Sequence, residues 1–330
     1  MKIFITGPTG AIGKRVIPQL LAMGREVVGL SRSEEHDEWL TSHGVVPRRG
    51  DLFNREGLFR VMADCEVVIQ LASAVPTKIR TVLDDWVLND RIRTEGTTNL
   101  IWASLRVGVR LYIQASVTFI YGRRHGDWVD ESCPPAEDLP PMIKSTVEME
   151  NLTLGSVARD NLPAIILRFG NVYGYDVPYT VSMYELIRRG RYPLIDKGKV
   201  YWNLITADDA ADAVVAAVKN GTPNVGKIFN ICDDEPVMYK ELVEFVARSL
   251  GAPKPESIPA FLAKPALGWH TVDYLLQSVR CMNKRAKEDL NWHLRFPTYR
   301  EGHEAILKSW GRLNGRVPES ADDPRQIEAT

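Results

Sequence analysis

The first residues of the chain, MKIFITGPTGAIG (residues 1–13), join a short apolar run to a loop with three glycines. The run Lys2–Ile5 predicts a strand, and the pattern from Ile12 onward predicts a helix. One glycine permits the tight turn, the next lets the backbone approach a pyrophosphate, and the last lets helix and strand pack closely. N–H groups at the start of the helix then face the phosphates. The residues predicted to bind a dinucleotide here are Gly7, Thr9, Gly10, Ala11, Ile12 and Gly13.

Short apolar runs alternate with helical stretches through the first half of the chain. Helices are predicted to start near Ile12, Trp86 and Lys144. Buried β-branched runs separated by helices imply a parallel sheet covered on both faces. The predicted fold is α/β, a doubly wound parallel (Rossmann) sheet with a smaller C-terminal α/β substrate-binding region. The predicted strands are Lys2–Ile5, Glu26–Leu30, Val67–Leu71, Leu111–Ala115, Ala164–Arg168 and Lys227–Cys232.

The pattern changes after Gly174, where aromatic-rich loops with several prolines are predicted, followed by helices near Met238–Leu250 and Tyr299–Trp310. We therefore predict a nucleotide-binding domain over residues 1–174, with sheet elements returning near 200–232. A substrate-binding region is predicted over 175–311. Residues 312–330 are polar without apolar periodicity, which predicts a loose tail.

Bulk composition narrows the class of protein. A formal net charge of −1 over 330 residues gives no support for binding to nucleic acid or to a membrane surface. The four cysteines are scattered and no His cluster has metal-ligand spacing, so no metal is expected and a reduced, cytoplasmic protein is predicted. No apolar run is long enough to span a membrane.

The end of the second predicted strand bears on the choice of cofactor. A site that prefers NAD places a carboxylate there to bind the ribose 2′-hydroxyl, whereas this chain has Ser31 followed by Arg32. A hydroxyl and a guanidinium suit a 2′-phosphate. The sequence therefore favours NADP(H), with NAD(H) as the alternative.

Several separated motifs resemble the extended short-chain dehydrogenase/reductase family, also called the NAD-dependent epimerase/dehydratase family. Thr6–Gly13 is similar to its TGxxGxxG motif, residues 95–100 (EGTTNL) to its GTxNL helix, and residues 168–174 (RFGNVYG) to its RxxNVYG loop. The resemblance runs from Met1 to about Trp310. It implies a cofactor site that also includes Asp51, Leu52, Leu71, Ala72, Ser73, Ala115, Phe169, Asn171 and Val172, and a homodimer through two helices, one near Trp86–Leu105.

The same resemblance implies a catalytic tyrosine and lysine four residues apart on one helix, with a nearby serine. Met142 stands at the tyrosine position, Thr146 at the lysine position and Val117 at the serine position. No YxxxK occurs anywhere in the chain, so a shifted alignment cannot restore the pair. Ser116 and Thr118 flank the serine position and are the candidate replacements, although a strand would point them elsewhere.

Two further departures concern the substrate. Arg93 stands where the family usually has an asparagine, and Trp202 stands near an arginine that grips pyrophosphate in sugar-nucleotide members. The predicted loops also carry many aromatic residues, which favours an apolar or aromatic small molecule. The predicted substrate residues are Lys78, Tyr175, Tyr179 and Trp202. The wider aromatic set adds Trp128, Tyr184, Phe261, Trp269 and Tyr274.

Three functions remain open. The first is an NADPH-dependent reductase or dehydrogenase with a non-standard proton donor, for which Lys78, His125, Asp127 and Tyr179 are candidates. The second is a non-redox cyclase, isomerase or dehydratase on the same scaffold. The third is a non-catalytic dinucleotide-binding protein. Loss of a positioned acid typically costs about 10²–10⁴ in rate, which weakens a reductase without forbidding one.

Overall fold

The computed structural model describes residues 1–77 and 80–313. The strands are β1 (Lys2–Thr6), β2 (Glu26–Ser31), β3 (Val46–Arg49), β4 (Val67–Gln70), β5 (Leu111–Val117), β6 (Trp128–Val129), β7 (Ala164–Phe169), β8 (Asn171–Tyr173), β9 (Leu194–Ile195), β10 (Tyr201–Trp202), β11 (Leu204–Thr206), β12 (Ile228–Ile231), β13 (Val237–Met238), β14 (Ser257–Ile258) and β15 (Arg280–Cys281). The helices are α1 (Gly13–Ala22), α2 (Glu34–Ser42), α3 (Arg55–Met62), α4 (Val87–Arg91), α5 (Thr97–Val107), α6 (Pro141–Asp160), α7 (Pro178–Arg188), α8 (Ala207–Asn220), α9 (Tyr239–Ser249), α10 (Ala260–Leu267), α11 (Trp269–Leu275), α12 (Lys284–Asp289) and α13 (Tyr299–Leu313).

The main sheet has seven parallel strands in the order β12-β7-β5-β4-β1-β2-β3. The chain runs from β1 outward to β3 on one side, then crosses to β4 on the other. This reversal opens a crevice outside the carboxyl ends of β1 and β4, where ligands bind in open α/β sheets. The predicted doubly wound parallel sheet is confirmed, including the return of the chain to the sheet at β12.

Apolar side chains of the central strands face helices on both sides. Ile3 and Ile5 pack with residues of α1 and α8, whereas Phe4 between them packs with residues of α3 and α5. This alternation follows from the two-residue period of a strand. All three side chains are fully buried, and each burial contributes about 1.5–3 kcal/mol. The N-terminal strand thus anchors both layers and fixes the position of the glycine loop that follows it.

The six predicted strands are all present in the main sheet, with ends that shift by up to two residues. The sequence missed β3, whose residues Val46–Arg49 are partly exposed at the edge of the sheet. The predicted start of a helix near Lys144 was also late, because α6 begins at Pro141. Proline is favoured at this position since the first N–H groups of a helix have no partner inside it.

The prediction of aromatic-rich loops after Gly174 was wrong for several residues. Tyr179 and Tyr184 lie on α7, Phe261 lies on α10, and Trp269 and Tyr274 lie on α11. The prolines at 178, 193 and 223 suggested loops, and Pro193 does lie in a loop, but Pro178 is the first residue of α7 and Pro223 lies in a 3₁₀ turn (Thr222–Asn224). The predicted tail began slightly early, because α13 continues to Leu313; residues 314–330 lie outside the described part of the chain.

Candidate dinucleotide and substrate site

The loop after β1 requires glycine at two positions. Gly7 has a φ of +67°, and a Cβ atom there would lie 2.8 Å from the backbone nitrogen of Ala72. A Cβ on Gly13 would lie 2.6 Å from the carbonyl oxygen of Pro8. Gly7 is therefore packed against the backbone that follows β4, and Gly13 against the backbone of the loop itself, so neither position has room for a side chain. We call this close-packed turn the glycine cradle.

Helix α1 begins beside this loop with an open N-terminus. It has no side-chain cap, and its first turn has no acidic residue. The unpaired N–H groups and the positive end of the helix dipole favour an anion at this point. The loop and helix together fit the pyrophosphate of a dinucleotide.

Hydrogen bonds fix the segment that faces the glycine loop. The backbone N–H of Ala72 donates to Gln70 Oε1 at 2.8 Å and to Thr6 Oγ1 at 3.3 Å. The next contact is from the N–H of Ala74 to Asn89 Oδ1 at 3.0 Å. Leu71, Ala72 and Ser73 are thereby held at the carboxyl end of β4, next to the crevice, as the resemblance implied.

The end of β2 presents a cation. Ser31 is buried, and its hydroxyl donates to the carbonyl of Ser33 at 3.1 Å. Arg32 is exposed and forms no ion pair with any residue in the described ranges. The pKa of the nearby Asp37 carboxyl is lowered by the Ser31 hydroxyl and by Arg49, whose Nε donates to it at 2.7 Å. The carboxylate close to this strand end is thus already paired, and Arg32 is not.

Asp51 and Leu52, two of the residues that the resemblance assigns to the cofactor site, lie after β3. Asp51 Oδ1 accepts the backbone N–H of Phe53 at 2.9 Å, and the carbonyl of Leu52 accepts Asn99 Nδ2 at 3.0 Å. Ala115 lies near the carboxyl end of β5 and Phe169 ends β7, while Asn171 and Val172 lie in β8. The residues predicted to bind the cofactor therefore lie along the carboxyl ends of the strands.

The three positions where the family has its catalytic residues are mostly apolar. Met142 is 1% exposed on α6, and Val117 is half-buried at the end of β5. Thr146 is fully buried, one turn after Met142, and its hydroxyl has no hydrogen-bond partner among the residues that the structure describes. No side chain at these three positions supplies a tyrosine-like acid.

Ser116 does not replace the missing serine. Its hydroxyl donates to Glu150 Oε1 at 2.5 Å, and Glu150 also accepts Arg168 Nη2 at 2.6 Å. Arg168 in turn donates to Tyr121 Oη at 2.8 Å. All four side chains are buried, so Ser116 belongs to a polar network between the sheet and α6. Since its hydroxyl is held inside the protein, we no longer assign Ser116 a catalytic role.

Thr118 is also directed into the protein. It is 2% exposed, in a short 3₁₀ turn (Thr118–Tyr121), and it lies against the buried Cys281 thiol. Both hydroxyls that flank Val117 therefore face protein atoms. This arrangement does not support the prediction that Ser116 or Thr118 acts as catalyst.

An aromatic and apolar cluster occupies the place of the missing acid. Trp86, Phe119 and Met142 are buried in it, and Tyr274 of α11 packs on Phe119 with ring centroids 4.4 Å apart. Trp86 and Phe119 were not predicted from the sequence as site residues. Phe119 could have been found, because it lies two residues after β5, a strand whose carboxyl end faces the crevice.

Arg93 is the cation beside this cluster. It lies in a π-helical turn (Ile92–Gly96) between α4 and α5, a rare distortion that is frequent at functional sites. Its Nη1 donates to the carbonyl of Met142 at 2.8 Å and to Ser145 Oγ at 3.3 Å. The side chain thus reaches across to the N-terminal turn of α6, where the family places its tyrosine.

The predicted substrate residues Tyr175, Tyr179 and Trp202 lie in different surroundings. Tyr175 lies under the guanidinium of Arg15, 5.2 Å from it, beside the start of α1. Tyr179 is 44% exposed, and its hydroxyl lies 2.9 Å from that of Tyr192. Trp202 is 2% exposed, and its ring centroid lies 4.2 Å from that of Tyr239. Because its side chain is buried, it lies behind the surface of the site and does not line it.

Among the candidate proton donors from the sequence, Tyr179 lies close enough to Tyr274 of this cluster to contribute, besides burial, to the raised pKa of that phenol. His125 and Asp127 are both exposed in the loop before β6. The Tyr179 hydroxyl is engaged with Tyr192. Lys78 lies outside the described residues. No group of three or more potential metal ligands occurs among the residues that the structure describes.

Comparison with known proteins identifies the family. The model of the NAD dependent epimerase/dehydratase family matches residues 3–232, more than half of the chain. The chain belongs to this family. The match covers the whole main sheet, from β1 to β12, and the resemblance inferred from the motifs is confirmed.

Among curated relatives of this epimerase/dehydratase-family protein is a 3-diazoavenalumate denitrifying reductase from Streptomyces sp.. It is 30% identical over 319 residues, and the alignment covers 92% of this chain and 99% of that protein.

Solved structures share the fold of the family. The human epimerase family protein SDR39U1, solved with NADPH, has a TM-score of 0.76 at 18% identity and covers 93% of this chain and 99% of its own. A UDP-glucose 4-epimerase from Thermus thermophilus, in complex with NAD, has a TM-score of 0.75 at 23% identity and covers 96% of this chain and 100% of its own. Within the described part of this chain, no helix has the length and apolar character needed to cross a membrane.

Proposed function

We propose that this epimerase/dehydratase-family protein is an NADPH-dependent reductase of aromatic small molecules that works without the family's tyrosine acid. The observation that carries the proposal is the apolar cluster of Trp86, Phe119 and Met142 where that acid would lie. Support for the cofactor comes from the glycine cradle at Gly7 and the open N-terminus of α1. When bound, NADPH supplies a hydride.

A reaction that needs no enzyme acid fits this site best. Reduction of a carbonyl leaves an alkoxide that must take up a proton. An aryl diazonium ion takes up hydride differently: a C–H bond forms, the C–N bond breaks, and its electron pair leaves with dinitrogen. Cation and hydride give a neutral arene, so no proton is required. The name of the Streptomyces relative describes a denitrifying reduction of a diazo compound, which supports the same class of substrate here.

The chain's own residues would do two things in this reaction. The apolar wall around Met142 and Phe119 would exclude water from the reacting ring, because water competes with hydride for an aryl cation. Arg32, directly after β2, would hold the 2′-phosphate of the cofactor, and the cradle at Gly7 would hold its pyrophosphate.

The test is a deuterium-transfer experiment. The protein is mixed with NADPH deuterated at either face of the nicotinamide C4 and with simple or carboxylated benzenediazonium salts. We expect one of the two labelled cofactors to deliver deuterium to the carbon that lost nitrogen, and one dinitrogen to be released for each cofactor oxidised. Gly7→Ala should slow this by at least about tenfold, because its Cβ meets the Ala72 backbone. Gly24→Ala is the matched control, since Gly24 also has positive φ but has nothing within 4 Å.

Two results would contradict the proposal. One is a rate of dinitrogen release in the presence of the protein that equals the rate with NADPH and the diazonium salt alone. The other is faster reduction of aromatic ketones, with a pH profile set by a single acid of the enzyme.

A further inference from the structure

Arg93 is held by one end of its guanidinium. Its Nη1 donates to the Met142 carbonyl and to Ser145 Oγ, both on α6. Among the described residues, no acceptor is bonded to Nε or Nη2. These two nitrogens form the side-on edge of a guanidinium, whose two parallel N–H bonds match the two oxygens of a carboxylate.

The charge of Arg93 is not neutralised within the described part of the chain. No ion pair joins it to a described carboxylate. Asp90 is one turn earlier on the same helix, but its Oδ1 accepts the Ser145 hydroxyl at 2.7 Å. Burial lowers the pKa of Arg93, and the nearby Asp90 and Tyr274 only partly oppose this effect. Partly buried cations are costly to leave unpaired, so an anion at this point would be stabilised.

The surroundings indicate what else the anion carries. Met142, to which Arg93 donates, belongs to the same apolar cluster as Phe119 and Tyr274. Tyr274 lies close enough to Arg93 for the two groups to affect each other's pKa, and its ring packs on Phe119. A ligand that reaches the open edge of Arg93 therefore has aromatic walls beside it.

We propose that Arg93 is a carboxylate subsite, and that the ligand of this pocket is an aromatic acid whose carboxylate binds Nε and Nη2 of Arg93. The inference rests on the proposed small-molecule site and refines it, because it adds one negative group to a ligand that the sequence predicts to be apolar or aromatic. It also gives a reason for an arginine where the family usually has an asparagine.

The experiment measures binding without turnover. Cinnamate and cinnamamide, which differ in charge at one end, are titrated by calorimetry into the protein saturated with NADP⁺. We expect cinnamate to bind about 10- to 100-fold more tightly than the amide. Arg93→Met should remove this ratio. Arg93→Lys, which keeps the charge but not the fork, should retain part of it. Arg91→Met is the matched control, because Arg91 is exposed on α4 and already paired with Glu95 at 2.8 Å.

The outcomes separate this inference from the proposed reaction. Loss of the acid-to-amide ratio in Arg93→Met, with NADP⁺ affinity unchanged, supports the subsite even if no diazonium is reduced. Equal binding of acid and amide to the parent protein would overturn it. A weaker NADP⁺ affinity in Arg93→Met with an unchanged ratio would also overturn it, since Arg93 would then hold the cofactor. If Arg93→Met does not fold, Arg93→Lys decides the question. An acid-to-amide ratio below that of the parent protein supports the subsite, and an unchanged ratio overturns it.

Discussion

Arg32 is the residue on which the proposed choice of NADPH depends. It is exposed at the end of β2 without an ion pair to a described residue, while Asp37 is paired with Arg49. We expect NADPH to bind more tightly than NADH, because a 2′-phosphate would gain charge-assisted hydrogen bonds from this guanidinium. Arg32→Ala should reduce the preference by about 10- to 100-fold, mostly through weaker NADPH binding.

Fluorescence titration of both cofactors against both proteins measures this preference. Arg60→Ala, an exposed arginine on α3, is the control for a general loss of positive charge. Because surface charges are screened by salt, the difference should also shrink as ionic strength rises. Equal affinities of the parent protein for NADPH and NADH would show that Arg32 does not bind the 2′-phosphate.

At the scale of one element, the inner face of α6 has a structural role at the positions where the family has its catalytic tyrosine and lysine. Its inner face carries Met142, Thr146 and Glu150 at four-residue intervals, and all three are buried. Glu150 pairs with Arg168 at 2.6 Å and accepts the Ser116 hydroxyl. The helix is thus attached to β7 by a buried ion pair, whose stability depends on both charges being present, and to β5 by the Ser116 hydrogen bond.

We expect Glu150→Gln to destabilise the protein by about 3–5 kcal/mol, because it leaves the buried Arg168 charge uncompensated. Chemical denaturation followed by circular dichroism measures the change. Glu148→Gln on the exposed side of the same helix should change stability by less than about 0.5 kcal/mol. Ser116→Ala should cost about 1 kcal/mol without changing turnover; a loss of turnover with intact stability would restore Ser116 as a catalytic candidate.

The elements that the sequence predicts well are those whose pattern is set by burial on both faces. Lys2–Thr6 and Ala164–Phe169 are almost entirely buried strands, and continuous apolar runs identify them. β3 was missed because it reads Val-Pro-Arg-Arg and lies at the edge of the sheet, where burial imposes no apolar run. Helix α7 was missed because Pro178 was interpreted as a loop residue, although proline is favoured at the first position of a helix.

At the scale of the whole molecule, the alignment of the predicted cofactor residues follows from topology alone. In a parallel sheet all carboxyl ends lie on one side, so segments as distant as Gly7, Asp51 and Leu71 must meet there. The substrate site does not follow in this way. The inward reach of Arg93 depends on a π-helical turn, and the packing of Tyr274 on Phe119 joins residues more than 150 positions apart. Neither leaves a local sequence signal.

The C-terminal region contains a buried histidine whose protonation would oppose folding of the whole chain. His303 of α13 is 1% exposed, lies 2.6 Å from Tyr184 Oη through Nδ1, and stacks on Tyr173 at 4.3 Å. Burial lowers its pKa from 6.5 to about 3. The unfolded chain therefore binds a proton at this residue at higher pH than the folded chain does. The contribution of neutral His303 to the free energy of unfolding is therefore complete above about pH 6.5, and it is lost as the pH falls toward 3.

This difference predicts that His303 alone lowers the free energy of unfolding by about 2 kcal/mol between pH 7 and pH 5. Urea denaturation at the two pH values measures it. His303→Gln should be less stable than the parent protein at pH 7, because it loses the packing on Tyr173, but its own decrease between the two pH values should be about 2 kcal/mol smaller. His293→Gln, an exposed histidine, should keep the decrease of the parent protein. A decrease in His303→Gln equal to that of the parent would mean that His303 is protonated in the folded protein, and that the interior around Tyr173 admits a charge.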